Sequence, residues 1–365
     1  MQSINLINRY IVKEYLKSLW LVFCVMLAVI LLINLLDEFS FFKSKKDLKF
    51  TIFIMLTILK TPNAIINLFP FIVLFSGIVF FIRIYNYNEI ISLRIMGYSN
   101  VQIITIPALV CFCLGYIIIF FIVPFSSFTL RGYETIKSNY TDTRNLVFLN
   151  ETGIWILDKN LSEKNIIRIE KINKDFNELK NITIYIYSKE NNFIKRIDAT
   201  EGFIDNKNWE LKKVRIINSN NKTKENYFSN YIYQSALNIK DFKNIYKNTE
   251  ATSFMDINKE INILEEKGYS SIDLRIRYQK LISLPFYLLA VLILSGLMII
   301  NLEKTSNYLK YGIYGVIIST IIYFLNDLSI TLAKADIISV DFSVWIPIFV
   351  IILINLVGIT QVNAK

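Results

Sequence analysis

Residues 101–123 read VQIITIPALVCFCLGYIIIFFIV, an apolar stretch that contains no charged residue. At about 1.5 Å per residue, a helix of this length crosses the ~30 Å hydrocarbon core of a bilayer. Five more stretches are long and apolar enough to do the same: Ser18–Leu36, Ala64–Ile84, Leu281–Ile300, Tyr311–Leu328 and Ser343–Val362. Thr51–Leu59 is too short to cross alone and, with Pro62 behind it, is predicted to lead into the second helix as a tilted or broken segment. The sequence therefore predicts six membrane-spanning helices, with both termini on one side.

The composition agrees with a membrane protein and excludes several kinds of catalytic site. Of the 365 residues 53% are hydrophobic and only 19% are charged, whereas an average soluble domain has about 25% charged residues. The chain has no histidine, so Ser-His-Asp triads, Cys-His triads and imidazole metal sites are excluded. The motifs G-x-x-x-x-G-K-[ST] and G-x-G-x-x-G are also absent. We therefore expect a chain that is not an enzyme and that holds no metal or cofactor.

The excess of positive charge favours a membrane surface over nucleic acid as its partner. The formal net charge is +10, and on a membrane protein such an excess suggests anionic lipid or phosphate. The orientation is less clear, because the first loop carries nearly as many cations as the N-terminal side. We place the N-terminus in the cytoplasm, which leaves a basic cluster on the non-cytoplasmic side to be explained.

Between the third and fourth spans the pattern changes to short strands. Six are predicted: Ile154–Leu157, Ile166–Ile169, Ile182–Tyr187, Phe193–Ile197, Trp209–Ile217 and Tyr227–Tyr233. Regular strands with polar turns predict a sandwich or jelly roll. An amphipathic helix is predicted over Thr252–Lys267, with Asp256 as a possible N-cap and Gly268 as its stop.

The predicted fold is a membrane α-helical protein of six transmembrane helices with an inserted periplasmic, all-β, jellyroll-like domain. Residues 1–123 hold the first three spans, residues 124–275 the β domain with its connecting helix, and residues 276–365 the last three spans.

The segment between spans two and three reads NEIISLRIMGYS over residues 88–99. It is predicted to form a helix of about two turns, because Asn88 suits a cap, Glu89 the helix start and Gly97 the helix stop. It is either a surface helix that turns the chain around or a coupling helix that docks on a separate ATPase. In the second case Glu89 pairs with a basic residue of the partner, and Leu93 and Met96 fill an apolar notch.

Two further sets of polar residues are candidates for binding. The first is basic and flanks spans one and four: Lys43, Lys45, Lys46, Lys49, Arg275, Arg277 and Lys280. These residues either anchor the helices at the interface or bind an anionic lipid headgroup. The second lies within or at the ends of spans: Asn34, Asn67, Asn326 and Asp327. These side chains either face a water-filled cavity or hydrogen-bond a neighbouring helix.

The order and spacing of several short motifs resemble the lipopolysaccharide export permeases, the LptF/LptG family. The matching pieces are Arg9-Tyr10, Asp37, Pro62, Leu68-Phe69-Pro70, residues 88–99, Gly153-Ile154-Trp155, Ile184-Tyr185, Trp209-Glu210-Leu211, Lys280, Pro285, Tyr323 and Trp345-Ile346-Pro347. They cover essentially the whole chain.

The resemblance implies a multi-pass subunit of an ABC exporter in the inner membrane of a Gram-negative bacterium. Its partners would be an LptF-like sibling permease, an LptB-like ATPase dimer, a single-span LptC-like protein and a periplasmic LptA-like bridge. ATP and Mg would be bound by the ATPase. Lipopolysaccharide would enter a cavity between the paired permeases and pass on to their β domains.

The resemblance also implies roles for single residues. Glu89 would contact the ATPase, with Leu93, Arg94, Met96 and Gly97 around it. The substrate-binding set would be Asn34, Asp37, Lys43, Lys45, Lys46, Arg275, Arg277, Lys280 and Lys304. Asn34 departs from the family, since it stands where the second subunit type has a lysine. Asp37 and the Trp-Ile-Pro motif favour the LptG-like member.

Three points stay open from the sequence. The chain could instead be a membrane-anchored structural protein whose β domain binds a partner, or an ABC permease for another lipid, a lipoprotein or a peptide. Within the β domain, Ile154, Ile156, Ile182, Ile184 and Ile186 either line an apolar groove for acyl chains or form a filled core.

Overall fold

The computed structural model describes residues 2–43, 50–140, 154–159, 163–172, 178–188, 192–205, 208–218, 225–235, 248–266, 269–301 and 308–363. Its contacts divide the chain into two compact units. The membrane unit comprises Met1–Tyr133, Glu250–Ile257 and Ile272–Lys365, and the β unit comprises Glu134–Thr249 and Asn258–Ser271. The membrane unit thus extends to Tyr133, past the expected boundary at residue 123, because the third membrane helix does not stop there.

The helices of the chain are α1 (Gln2–Phe41), α2 (Phe50–Asn86), α3 (Glu89–Ile95), α4 (Asn100–Ile117), α5 (Val123–Tyr140), α6 (Ile257–Glu266), α7 (Ile272–Asn301), α8 (Tyr308–Lys334) and α9 (Val340–Asn363). A π-helical turn, Ile118–Ile122, joins α4 to α5. The described residues contain six helical segments that are long and apolar enough to cross a membrane: Leu6–Phe41, Phe50–Asn86, Asn100–Lys137, Ile272–Ile300, Gly312–Lys334 and Val340–Gln361. The six predicted spans are confirmed.

Helix α2 differs from the expectation in one respect. The Thr51–Leu59 stretch leads into the second span, as predicted. Of the two expected forms, the broken helix is wrong, because α2 continues as one helix past Pro62 and Pro70. A proline removes one backbone hydrogen bond. The side chains of α2 are apolar and many of them are buried, so their packing keeps the helix continuous across both prolines.

Helix α7 forms the interior of the membrane unit and α1 lies at its rim. In their most apolar windows, 67% of α7 is buried against 17% of α1. Glycines on neighbouring helices allow those helices to approach α7 closely. A Cβ on Gly115 of α4 would lie 2.6 Å from Pro285 Cα, and one on Gly77 of α2 would lie 2.0 Å from Ser295 Oγ.

The β unit contains strands β1 (Ile154–Lys159), β2 (Glu163–Ile172), β3 (Glu178–Ser188), β4 (Phe193–Asp205), β5 (Asn208–Asn218) and β6 (Glu225–Gln234). All six predicted strands are confirmed, and they form an antiparallel β domain. Each described strand pairs with the next, so the sheet order is β1-β2-β3-β4-β5-β6 without a crossover among these strands.

One face of the sheet is a packed core. Ile182, Ile184 and Ile186 are buried by other protein side chains, among them Trp209 and Leu211. For these three isoleucines the prediction of a filled core is correct, and the prediction of an open groove for acyl chains is wrong. The side chains of Ile154 and Ile156 lie outside the described residues.

The connecting helix is shorter than predicted. Residues Thr249–Ala251 form a 3-10 turn, and α6 begins only at Ile257, directly after Asp256. The predicted start at Thr252 is wrong, and Asp256 stands at the predicted N-cap position. Before the helix, Thr252 O accepts from Ser127 Oγ (3.1 Å), and the Asp256 N–H donates to Ser253 O (3.0 Å) in a turn. Ile257 and Ile261 are buried, as expected for the apolar face of an amphipathic helix.

Candidate functional site

Helix α3 lies in the short connection between α2 and α4, at the end of the membrane unit that also carries both chain termini. We call this the terminal end, and the end of the unit where α1 meets α2 and α8 meets α9 the opposite end. The helix ends as predicted at Gly97, whose φ is +90°. The Gly97 N–H donates to Arg94 O (2.9 Å) and the Tyr98 N–H to Leu93 O (3.0 Å), which is a Schellman motif. Glycine tolerates this φ because it has no Cβ.

The start of α3 differs from the prediction. Asn88 precedes the helix in the left-handed region, at φ +54°, and its side chain makes no capping hydrogen bond to the helix. Asparagine is one of the residues that adopts this conformation most readily. Asn88 therefore reverses the chain through its backbone and does not cap the helix through its side chain.

The two faces of α3 are sharply different. Ile90 and Leu93 are buried in the membrane unit, at 3% and 4% exposure, whereas Ile91 and Ile95 are 55% and 82% exposed. Met96 is also exposed. The prediction that Leu93 faces a partner is therefore wrong, because its side chain packs inside the chain. Sequence reasoning missed Ile91 and Ile95, although their i, i+4 spacing was a signal that they share a face.

Polar side chains hold α3 against its neighbours in the chain. Tyr10 of α1 donates its hydroxyl to Glu89 Oε2 (3.0 Å), and Tyr98 donates its hydroxyl to Asn8 Oδ1 (2.8 Å). Arg94 Nε donates to Asn100 Oδ1 (2.7 Å) at the start of α4. Arg94 thus stabilises the segment that connects α2 to α4. The remaining acceptor capacity of the Glu89 carboxylate suits a cationic partner.

The start of α4 fixes the far side of the connection. Ser99 Oγ accepts the Gln102 N–H (3.2 Å), and Gln102 Oε1 accepts the Ser99 N–H (2.9 Å). These reciprocal bonds form a capping box. The connection is therefore a short helix bounded by a Schellman motif and a capped helix start.

At the opposite end of the membrane unit, Asn34 has a structural role. It is 5% exposed, and its Nδ2 donates to Thr61 Oγ1 (3.4 Å) on α2. Thr61 Oγ1 donates in turn to Thr57 O (2.7 Å). For Asn34 the alternative of a hydrogen bond to a neighbouring helix is correct. Its place in the substrate-binding set is not supported, because its side-chain amide donates a hydrogen bond from α1 to α2.

The other predicted binding residues fall into four groups. Asp37 forms an exposed ion pair with Lys60 (3.1 Å). Arg275, Arg277 and Lys280 all lie on α7. Arg277 Nη2 donates to Ser127 Oγ (3.4 Å). Lys280 is exposed and interacts electrostatically with Glu250 and Asp327. Lys43 is exposed at the end of α1. Lys45, Lys46 and Lys304 lie outside the described residues, so the structure does not place them beside the rest.

The segment that returns from the β unit, residues 249–257, was not singled out from the sequence. Asn63 Nδ2 donates to Glu250 Oε2 (2.5 Å), and Arg131 Nε donates to Ala251 O (2.9 Å). Ala251 and Thr252 are fully buried. The return segment is therefore held by side chains of α2 and α5 that are distant in sequence. Contacts of this kind cannot be predicted from the residues of the segment itself.

The comparison with protein families agrees with this architecture. The model of the lipopolysaccharide export system permease LptF/LptG matches residues 9–361, nearly the whole chain. The chain belongs to the LptF/LptG family. None of the curated proteins compared with it matches. As a member of this family it is a multi-pass membrane permease, and the match includes α3, the β domain and all six spans.

Proposed function

We propose that this LptF/LptG permease is a transmembrane subunit of an ABC exporter that extracts lipopolysaccharide from the inner membrane of a Gram-negative bacterium. The observation that carries the proposal is α3, a short helix between spans two and three that exposes Ile91 and Ile95 at the terminal end. Exposed apolar side chains that share one face of a helix outside a membrane span suit a contact with another protein.

The partner at this site is a cytoplasmic, LptB-like ATPase dimer. Ile91, Ile95 and Met96 supply the apolar contact, and the Glu89 carboxylate pairs with a cation of the ATPase. ATP and Mg are bound and used by the ATPase, and this chain takes no part in hydrolysis. In this arrangement the terminal end faces the cytoplasm.

The rim of the membrane unit suits a second permease. Only 17% of the apolar window of α1 and 28% of that of α8 are buried within the chain, compared with 67% of α7. An LptF-like sibling pairs with these faces and encloses a cavity for the acyl chains. Moving acyl chains from lipid into such a cavity exchanges one apolar surrounding for another, so it avoids the ~0.8 kcal/mol that each CH₂ costs in water.

The basic residues at the opposite end bind the phosphorylated headgroup. Lys43, Lys45, Lys46, Arg275 and Lys280 are the proposed contacts, and Lys304 stays a prediction from the family resemblance. The β domain then passes the lipid, together with a single-span LptC-like protein, to an LptA-like bridge in the periplasm. Asp37 and Trp345-Ile346-Pro347 favour the LptG-like member of the pair.

Affinity purification in mild detergent tests this function. The tagged wild-type chain should recover the ATPase, a sibling permease and a single-span protein. Glu89→Lys should lose the ATPase and keep the sibling, whereas Glu266→Lys, at an exposed position on α6, should recover all three. Recovery of the wild-type chain alone, or full ATPase recovery with Glu89→Lys, would contradict the proposal and support a membrane-anchored β-domain protein.

The nature of the transported molecule needs a separate measurement. Mass spectrometry of the lipids retained by the complex should find lipopolysaccharide. A complex that keeps the ATPase but retains a lipoprotein or another lipid would identify a permease for that substrate instead.

A further inference from the structure

Helix α3 rests on the membrane unit through the buried side chains of Ile90 and Leu93. On one side it follows Asn88 (φ +54°), and on the other it precedes Gly97 (φ +90°). These apolar contacts hold one face of the helix against the membrane unit, but they are not directional. They therefore allow the short helix to rotate slightly between its two connections. The direction in which Ile91 and Ile95 point would then vary. A docking face that varies binds more weakly, because fixing its direction on binding costs conformational entropy.

Two side-chain hydrogen bonds with residues of α1 oppose this rotation. The Tyr10 hydroxyl bonds Glu89 at the first residue of α3, and Asn8 accepts from Tyr98 just beyond its last turn. We propose that Tyr10 and Asn8 are positioning residues that set the rotation of α3 and thereby aim its apolar face and the Glu89 carboxylate at the ATPase. This inference rests on the proposed function.

The part of α1 that supplies these bonds is itself firmly held. The buried Glu14 carboxylate is 2.5 Å from Lys17 Nζ and 3.3 Å from Arg83 Nη1 of α2. One residue further, the buried Tyr15 hydroxyl lies 2.8 Å from Cys111 Sγ on α4 and 3.3 Å from Ser76 Oγ on α2. The N-terminal part of α1 is therefore a fixed frame for α3, tied to the same two helices that α3 connects.

The geometry also explains why hydroxyl groups matter here. The two directional bonds lie at the two ends of α3: the Tyr10 hydroxyl donates to Glu89 at its start, and the Tyr98 hydroxyl, just past its end, donates to Asn8 of α1. The Tyr10 bond is accessible to water, so each bond alone contributes modestly, and both are needed to fix the rotation.

Titration of the ATPase against the permease complex in lipid nanodiscs tests the inference. The double variant Tyr10→Phe, Tyr98→Phe removes both hydroxyls and keeps both rings. We expect the dissociation constant of a fluorescently labelled LptB-like ATPase to rise about threefold to tenfold, with a smaller rise for each single variant. The matched control, Tyr116→Phe in α4, should leave it unchanged. A wild-type dissociation constant for the double variant would overturn the inference.

A double-mutant cycle separates positioning from general stability. If Tyr10 acts through Glu89, Tyr10→Phe should weaken binding in the wild-type background and have little further effect in a Glu89→Ala background. An equal loss in both backgrounds would contradict a positioning role. The proposed function fails in a different way: in that case the wild-type complex itself does not bind the ATPase.

Discussion

The two ends of the membrane unit expose different sets of side chains. At the terminal end, the polar side chains of Tyr10, Glu89 and Arg94 bond within the chain, and the apolar Ile91 and Ile95 are left exposed. At the opposite end, Asn34 bonds between α1 and α2, and exposed cations such as Lys43 and Arg275 accompany exposed apolar side chains such as Ile337.

This difference indicates which partner suits each end. An exposed apolar face on a rigid helix binds another protein by excluding water. Exposed lysine and arginine at a membrane surface attract anionic headgroups instead. Under the proposed function, the same chain binds a protein at one end and a lipid phosphate at the other, and packed helices join the two ends.

The largest expected effect comes from breaking the packed middle that joins the two ends. In Gly115→Ala the new methyl group meets the backbone of Pro285 at 2.6 Å, so we expect a loss of about 3 kcal/mol of stability and of both binding activities. In Gly312→Ala the new methyl group has no neighbour within 4 Å, and helix propensity predicts a gain of up to about 1 kcal/mol. Thermal unfolding in detergent measures both, and equal stability of the two variants would show that α4 and α7 are not tightly packed.

The second prediction sharpens the contrast between the ends. Ile95 and Ile337 are both exposed, at the terminal and the opposite end respectively. Ile95→Asp should lower the affinity for the ATPase by about 2 kcal/mol, or roughly thirtyfold, because it places a charge in the centre of an apolar contact. Ile337→Asp should leave this affinity unchanged. Equal effects of the two substitutions would remove the distinction between the ends.

The third prediction concerns the cations of the opposite end. Replacing Lys43, Lys45 and Lys46 by Ala should raise the lipopolysaccharide concentration that half-maximally stimulates ATP hydrolysis, by about fivefold for each lysine that contacts the headgroup. Replacement of the same three residues by Arg keeps the charge and should keep the stimulation. If the alanine variant responds like the wild type, these lysines are not part of the substrate site.

The smallest effect is expected at Asn34. Asn34→Ala removes one hydrogen bond between α1 and α2, which is worth about 0.6 kcal/mol within a membrane. The thermal midpoint should fall slightly, and the half-maximal lipopolysaccharide concentration should not change. A clear shift in that concentration would return Asn34 to the substrate site.

Much of the architecture was predictable because its signals are local. Apolar length predicts the spans, alternation predicts strands such as Ile182–Tyr187, and the need for a residue with positive φ predicts Gly97 at the end of α3. Each of these depends only on the residue types within a few positions.

The errors have a common physical origin in contacts between distant parts of the chain. Seven residues of α3 span too few turns for periodicity to show that Leu93 is buried and Ile95 exposed. The role of Asn34 depends on Thr61, and the carbonyl of Thr252, at the predicted start of the connecting helix, accepts a hydrogen bond from the distant Ser127. Such pairings follow from tertiary packing, which residue patterns alone do not specify.

The most direct test of the central claim is site-specific photo-crosslinking in intact cells. A photoreactive amino acid at position 95 should crosslink to the cytoplasmic ATPase, and the same amino acid at position 337 should not. Absence of an ATPase crosslink from position 95, or crosslinks from that position to periplasmic proteins only, would contradict a docking role for α3.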